Sequence, residues 1–551
     1  MSDWWKNAIG YQIYPRSFKD SNGDGIGDIK GIIEKLPYLE WLGVDFIWLN
    51  PIYASPNFDN GYDISDFRAV QPEFGTMADF KELLKKAHEK NIRIIMDLVI
   101  NHTSNQHPWF IEAAKSKESP YRDYYLWENA TKEKMPNEWQ SFFGGSTWTY
   151  HDLTEQAYFH VFAPEQPDLN WKNPQMRAEI KEMIQWWLDL GIDGFRLDAI
   201  SHIQKAPWDF PISTNPWAPF MNVTGIEAYM TELKEIFDRY PIMTVGEASG
   251  VSSREAVDWT SEDGFLNMIF ELEHNVRKGE LGSERIDPLE MKKVLFRWQK
   301  DLDQKGWNAL YVENHDNPRI VSILGDESEK SAKAIATMYI LLKGTPFIYQ
   351  GQEIGMTNYS FTSINQIDAK DTHHYYQTLL DQGYSSKQAL KIATDWTRDH
   401  ARTPMQWESD SSAGFSTGKP WMPINPNTKG LNVARQKESS ASVLRYYRQL
   451  IQLRKTNSVF VEGNFDELLV DSPQVFAYLR TEKNRQVFVI VNMGAEEVTV
   501  KLPETMIAQV WQILIRNNES LMVKEQMRLE PFDAAAFETQ LIEEKYKKGK
   551  Q

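Results

Sequence analysis

Residues 194–200 read Gly-Phe-Arg-Leu-Asp-Ala-Ile, GFRLDAI. As a strand this stretch puts Arg196 and Asp198 two residues apart on one face, with Phe195 and Leu197 on the other. Two charged groups on one face of an otherwise apolar strand have two readings. One is a buried structural ion pair. The other is a working carboxylate that the guanidinium keeps ionised by lowering its pKa. Working outward, similar short runs rich in Ile, Val and Phe recur at Ile9–Pro15, Asp45–Asn50, Arg93–Val99, Met243–Ala248, Leu266–Glu273, Asn308–Glu313 and Pro346–Gln350. Between them lie stretches with helical spacing of apolar residues, such as DIKGIIEKLPYLEWLG and MADFKELLKKAHEKN. Eight strands alternating with helices predict an α/β fold, a (β/α)8 TIM barrel, whose strand C-terminal ends carry the functional loops.

Two intervals break the rhythm. Residues 103–171, rich in Trp, Pro, Gly and Ser, predict an inserted domain B over the barrel mouth, and 355–423 a second long insertion. From about Val475 the texture changes to alternating segments, VFAYLRT, QVFVIVNM, EVTVKL and QVWQILI, which predict a small antiparallel β domain. The expected organisation is therefore a catalytic barrel over 1–102 and 172–474, domain B at 103–171, and a β-sandwich-like domain C at 475–551. The tail EEKYKKGKQ reads as frayed and solvated.

Three strand ends carry carboxylates: Asp198, Glu247 in MTVGEA, and Asp316 after the strand at 308–313. Singly, each has a bland reading as an ion pair, a solvated strand end or a helix cap. In a barrel all three face one mouth. Gly246 before Glu247 reads as room for a bulky ligand or backbone to approach. Retaining glycosidases need two carboxyls about 5 Å apart, one nucleophile and one proton donor. A third can stabilise developing positive charge.

Bulk numbers narrow the partners. The net charge of −17 without a basic stripe argues against nucleic acid and suits a neutral substrate. The 20 Trp, 23 Tyr and 27 Phe are mostly core, but a minority could pack on pyranose rings. Cysteine is absent, which excludes disulfide and thiolate chemistry. No signal-peptide pattern and no long apolar run is seen, so a cytoplasmic protein with no membrane partner is expected.

The motifs together resemble glycoside hydrolase family 13, the α-amylase family. DLVINH (Asp97–His102), GFRLDAI, GEA (Gly246–Ala248) and ENHD (Glu313–Asp316) look like its four ordered regions. QPDLNW (Gln166–Trp171) and ARTPMQW (Ala401–Trp407) look like the oligo-1,6-glucosidase/α-glucosidase subgroup. The resemblance implies Asp198 as nucleophile, Glu247 as acid/base and Asp316 as the group that binds sugar hydroxyls. It also implies that His102, His315 and Arg196 contact the sugar or orient the carboxylates. Asp63 and Arg402 would close the pocket behind the terminal glucose, Tyr62 would stack on that glucose, and Phe143 and Phe162 would line the site. Asp97 and Asn101 read as structural supports.

The loop Asp20-Ser-Asn22-Gly-Asp24-Gly-Ile-Gly-Asp28 alternates oxygen donors like the start of an EF-hand, but no bidentate Glu follows at its twelfth position. The resemblance suggests one structural Ca²⁺ held by Asp20, Asn22, Asp24, Asp28 and the Ile26 carbonyl; the alternative is an Asx-rich turn. No organic cofactor is expected. Ala199, directly after the nucleophile, with His202 and Ser249 nearby, looks like α-1,4-acting members of the subgroup. The expectation is thus an exo-acting retaining α-1,4-glucosidase on short oligosaccharides, as a monomer. An oligo-1,6-glucosidase, a trehalose-6-phosphate hydrolase and a transglucosylating or sucrose-active relative are the alternatives.

Overall fold

The computed structural model describes residues 3–212, 214–275 and 285–541; the tail lies outside them. Eight strands close into a barrel: β1 (Gly10–Ile13), β2 (Phe46–Leu49), β3 (Arg93–Val99), β4 (Gly194–Asp198), β5 (Met243–Glu247), β6 (Met268–Phe270), β7 (Asn308–Leu310) and β8 (Thr345–Tyr349). Every neighbouring pair is parallel, and β8 returns to pair with β1. Parallel neighbours require a crossover, and the helices supply it. The first, α1 (Ile29–Leu42), starts where the Asp28 carboxylate accepts the Gly31 N–H and stops at Gly43, whose φ of 101° suits glycine. The next, α2 (Met77–Glu89), starts on a capping box between Thr76 and Asp79.

The period of two sorts each strand. Ile94, Met96, Leu98, Phe195 and Leu197 are buried in the main core that includes the helices. Phe46, Trp48, Ile95, Met243, Val245, Met268, Phe270, Ala309 and Phe347 form a separate cluster that fills the barrel. Its rings interlock: Trp48 stacks on Phe270 at 5.6 Å, and Phe270 meets Phe347 edge-on at 4.9 Å. Burying each such side chain stabilises the fold by roughly 2–3 kcal/mol. Continuing the inward positions toward the mouth replaces these apolar groups by Asp97, Arg196, Asp198 and Glu247. The polar site therefore stands directly on an apolar floor.

After β3 the chain forms a three-stranded antiparallel sheet, with Gln156–Phe159 between Trp127–Asn129 and Trp148–His151. Its own aromatic core of Trp139, Trp148 and Phe159 includes Phe220 from the loop after β4, so this excursion is anchored beside the mouth. After β8 comes a helical hairpin, Lys370–Asp381 and Ser386–Asp395, then a short helix at Asp399–Arg402. The C-terminal part has a five-stranded antiparallel sheet and a two-stranded one. The larger sheet starts at Asn464–Leu468, ahead of the alternating texture near 475, because that strand is an edge that buries only Phe465 fully. No helix among the described residues is long and apolar enough to cross a membrane.

His107 caps the helix Pro108–Lys115 by accepting the Trp109 N–H, and burial pushes its ring pKa down to about 4. As pH falls from about 6.5 toward 4 the unfolded chain takes up a proton there and the folded chain does not, so stability is lost over that window. The shift corresponds to about 3 kcal/mol at most. His107→Asn keeps a capping acceptor without the titration. In urea melts its stability deficit relative to wild type should shrink between about pH 7.5 and about pH 4.5 by up to that amount. A constant deficit would show that His107 does not titrate in this way.

Candidate active site

The barrel register makes Asp97 on β3 the partner of Arg196 on β4, with Val99 opposite Asp198 and Gly246 opposite Leu197. Arg196 is fully buried over the Trp48 ring, 4.9 Å from its centroid. Its Nη1 donates to Asp97 Oδ1 at 2.9 Å and to Asp198 Oδ1 at 2.5 Å, and its Nη2 to Glu247 Oε2 at 2.7 Å. One planar cation thus ties Asp198 and Glu247 together, a geometry suited to arginine. The chain then turns sharply: Ala199 has a φ of 45° and donates its N–H to Glu247 Oε2 at 3.1 Å. A non-glycine residue in this region stores strain, held here by the surrounding packing.

The expected pKa direction at Asp198 is corrected. Burial raises it well above the ordinary value; Arg196 pulls it down, but Glu247 and Asp97 push it up again. Asp97 is likewise raised, by burial first, against the pull of Arg196. One cation among three carboxylates leaves excess negative charge, so each charged carboxylate there makes ionising its neighbour harder. The reading of Gly246 is also corrected. A Cβ there would meet Leu266 Cδ1 at 2.6 Å and Ile200 Cγ2 at 3.2 Å, so the glycine serves packing behind the strand rather than ligand approach.

Asp316 enters from the turn after β7, where the Asn314 side chain accepts its N–H at 2.8 Å. It is clamped by His315 Nε2 at 3.0 Å, Arg402 Nη2 at 2.9 Å and Arg398 Nη1 at 3.4 Å. Burial would raise its carboxyl, but His315, then Arg402 and Arg398, hold it well below the usual range. Tyr62 joins the groups: its hydroxyl donates to Asp97 Oδ2 at 2.9 Å, accepts from Asn50 at 2.7 Å and lies 2.8 Å from His315 Nε2. Its ring stacks on His315 at 5.3 Å, and the Arg196 guanidinium lies 6.0 Å from its centroid. Glu247 and Asp316 keep 22% and 35% of their side chains accessible while Arg196 and His315 beneath them are buried. The floor of the mouth is therefore acidic and open to a ligand.

The structure does not bring Asp63 and Arg402 together. Asp63 is buried and accepts the Phe58 and Asp59 N–H groups and the Ser55 hydroxyl; burial raises its pKa to about 6. Asp63 thus organises its loop, and Arg402 serves Asp316. The ion pair at this rim is Asp59 with Arg398, 2.9 Å apart, and Arg398 also reaches Asp371 and covers the Phe143 ring. Sequence reasoning missed both residues. Arg398 lies one helical turn before Arg402, and Asp59 three residues before Tyr62, so spacing was the available signal.

His102 lies where domain B meets the barrel. Its Nε2 is 3.1 Å from the Tyr62 carbonyl, and its ring is edge-on to Phe162 at 5.3 Å; Phe162 in turn lies 5.7 Å from Phe143. Burial pushes its pKa down to about 4, so the ring is neutral near pH 7.

In the Asp20–Asp28 loop the donors are used internally. Asp20 accepts N–H groups from Asn22, Gly23 and Gly25 and the Ser416 hydroxyl; Asn22 accepts from Asp24, Asp24 from Ile26, and Asp28 from Ser21 and Gly31. These are Asx turns. Burial would raise the Asp20 pKa, but the hydroxyl and N–H donors lower it overall. Among the described residues no group of three or more His, Cys, Asp or Glu is placed to hold a metal ion.

Residues 12–463 match the family described as the α-amylase catalytic domain, and 475–535 match the α-amylase SusG C-terminal domain. The chain is 46% identical over 558 residues to an oligo-1,6-glucosidase of Parageobacillus thermoglucosidasius, spanning 98% of this chain and 99% of that one. It is 50% identical over 503 residues to the probable oligo-1,6-glucosidase 3 of Bacillus subtilis, spanning 89% and 91%. Its fold is similar to the crystal structure of Bacillus licheniformis trehalose-6-phosphate hydrolase, with a TM-score of 0.92 at 39% identity over 98% of this chain and all of that one.

Proposed function

The chain belongs to the α-amylase family of glycoside hydrolases, and we propose that within it the protein is a retaining exo-glucosidase acting on short α-1,6-linked glucosides. The chemistry rests on one observation, the Arg196 guanidinium shared between Asp198 and Glu247. Asp198 attacks the anomeric carbon while Glu247 delivers its proton to the departing oxygen, which leaves a β-glucosyl ester on Asp198. Glu247, now a base, takes a proton from water, and the water oxygen displaces Asp198 with net retention. Arg196 ties both carboxylates to one guanidinium, so that they flank the same bond. Asp316, whose carboxyl is held low by His315, Arg402 and Arg398, accepts hydrogen bonds from sugar hydroxyls and favours the positive charge that develops on the ring. Asp59 and Arg398, rather than Asp63 and Arg402, close the far end of the pocket.

The linkage reading departs from the α-1,4 expectation because relatives 45–50% identical over 89–98% of this chain are described as oligo-1,6-glucosidases or a probable one. Ala199 is the observation that favours α-1,4 cleavage as the second reading. A methyl-sized difference beside a pocket changes preference only about 10- to 200-fold. Initial rates on isomaltose, maltose, trehalose-6-phosphate, sucrose and starch decide between them. Isomaltose well ahead of maltose is expected, and maltose ahead would restore the α-1,4 reading. The enzyme is taken to be a cytoplasmic monomer needing no organic cofactor, which fractionation and sedimentation would check.

A structural Ca²⁺ on Asp20, Asn22, Asp24, Asp28 and the Ile26 carbonyl is proposed from the all-oxygen donor set, which suits a hard cation. It would brace the loop between β1 and α1 and take no part in bond cleavage. A chelator should lower the melting temperature while leaving the initial rate at room temperature nearly unchanged. An unaltered melting curve would mean that the Asx turns alone close the loop.

A further inference from the structure

Lys205, in the loop after β4, is a cation buried among side chains that belong to three different segments. Its ammonium has three partners: Asp168 Oδ2 of domain B at 2.7 Å, Asn101 Oδ1 after β3 at 2.9 Å and the His202 carbonyl at 2.6 Å. Two of these contacts are hydrogen bonds, and that with Asp168 is an ion pair. A buried charge persists only when paired in this way, and Asp168 is itself fully buried.

The consequence reaches His102. Because the ammonium occupies Asn101 Oδ1, the Asn101 amide must turn its Nδ2 toward His102 Nδ1, 3.3 Å away. Nδ1 is then the acceptor, so the proton of the neutral ring sits on Nε2, aimed at the Tyr62 carbonyl. A competing arrangement stands beside it. Gln166 Nε2 lies 3.2 Å from the same His102 Nε2, and the Gln166 amide is oriented by the Ala163 N–H on its oxygen and by Asp59 Oδ2 on its nitrogen. Were Asn101 free to flip, its oxygen would face Nδ1, the proton would move to Nδ1, and Nε2 would accept from Gln166. The two tautomers thus differ by the orientation of one amide, and Lys205 is the group that sets it.

We propose that Lys205 is a positioning residue which, through Asn101, fixes His102 as the Nε2–H tautomer, with that proton donated to the Tyr62 carbonyl. Its effect on the rate rests on the reading of His102 as a contact of the terminal sugar, and the test separates the two claims. Removing Lys205 alone would strand Asp168, so the informative variants are the double replacement Lys205→Met with Asp168→Asn, and Asn101→Asp. In the second, a carboxylate can only accept and therefore demands a proton on Nδ1, with Lys205 still present.

The readout is long-range proton–nitrogen correlation on protein labelled with ¹⁵N-histidine, with the His102 signals identified by their loss in His102→Asn. Wild type should show the Nε2–H pattern. Asn101→Asp should show Nδ1–H, and the double variant should move away from the wild-type pattern. The same two variants should lose about 10- to 100-fold in kcat/KM on a nitrophenyl α-glucoside, as expected for a misdirected contact. A His102 tautomer identical in all three folded proteins would overturn the proposal. A tautomer that shifts with kcat/KM unchanged would overturn the reading of His102 as a sugar contact.

Discussion

Asp198→Gly should lower hydrolysis of an unactivated α-glucoside by at least about 10⁴-fold, because the covalent step loses its nucleophile and the remaining groups can only bind and polarise. The vacated space predicts more than inactivity. With an activated fluoride or nitrophenyl substrate, azide should enter where the carboxylate stood, forming a C1–N bond as the C1–leaving-group bond breaks, and yield the β-glucosyl azide. Folding should survive. Asp198 shares a single cation with Asp97 and Glu247, so removing one carboxylate relieves an excess of buried negative charge. A melting temperature equal to or above that of wild type is the expected companion result. Rescue that gives the α-azide, or activity above about a hundredth of wild type, would show that another residue is the nucleophile.

Asp198 was legible because strand periodicity is simple. GFRLDAI alternates apolar and charged positions, and a barrel has only one inside. The same logic located all eight strands and placed Glu247 and Asp316 at one mouth. The rim was legible only in part. Asp59 and Asp63 sit in one aperiodic segment, and each is an Asp near Tyr62. What separates them is that Asp63 spends its oxygens on the Phe58 and Asp59 N–H groups while Asp59 reaches across to Arg398. That distinction is set by a contact between residues 339 positions apart, which no local pattern encodes. Gly246 misled for a related reason. Sequence shows a missing side chain but not which face it is missing from, and here Leu266 fills the gap. The upward shift at Asp198 also lay beyond local reading. Arg196 is adjacent in the strand, whereas the two carboxylates that compete for it come from β3 and β5.

That competition makes Arg196 the second residue whose loss should be severe. In Arg196→Met the three carboxylates keep their burial and lose their only shared cation. Breaking a buried pair in this manner costs about 3–5 kcal/mol of stability. The catalytic effect has a definite sign. Arg196 lowers the pKa of Asp198 and of Asp97 against the opposing pull of burial, so without it both rise further. Attack requires ionised Asp198, and the acid limb of kcat/KM against pH should therefore move to higher pH, with a fall of about 10³-fold at neutral pH. Arg196→Lys should recover part of the stability, because a charge returns, but little of the rate, because an ammonium cannot offer two parallel donors to Asp198 and Glu247 at once. If the acid limb of Arg196→Met stays where it is in wild type, the guanidinium does not govern the nucleophile's charge, and the linked site described above would be a structural ion cluster only.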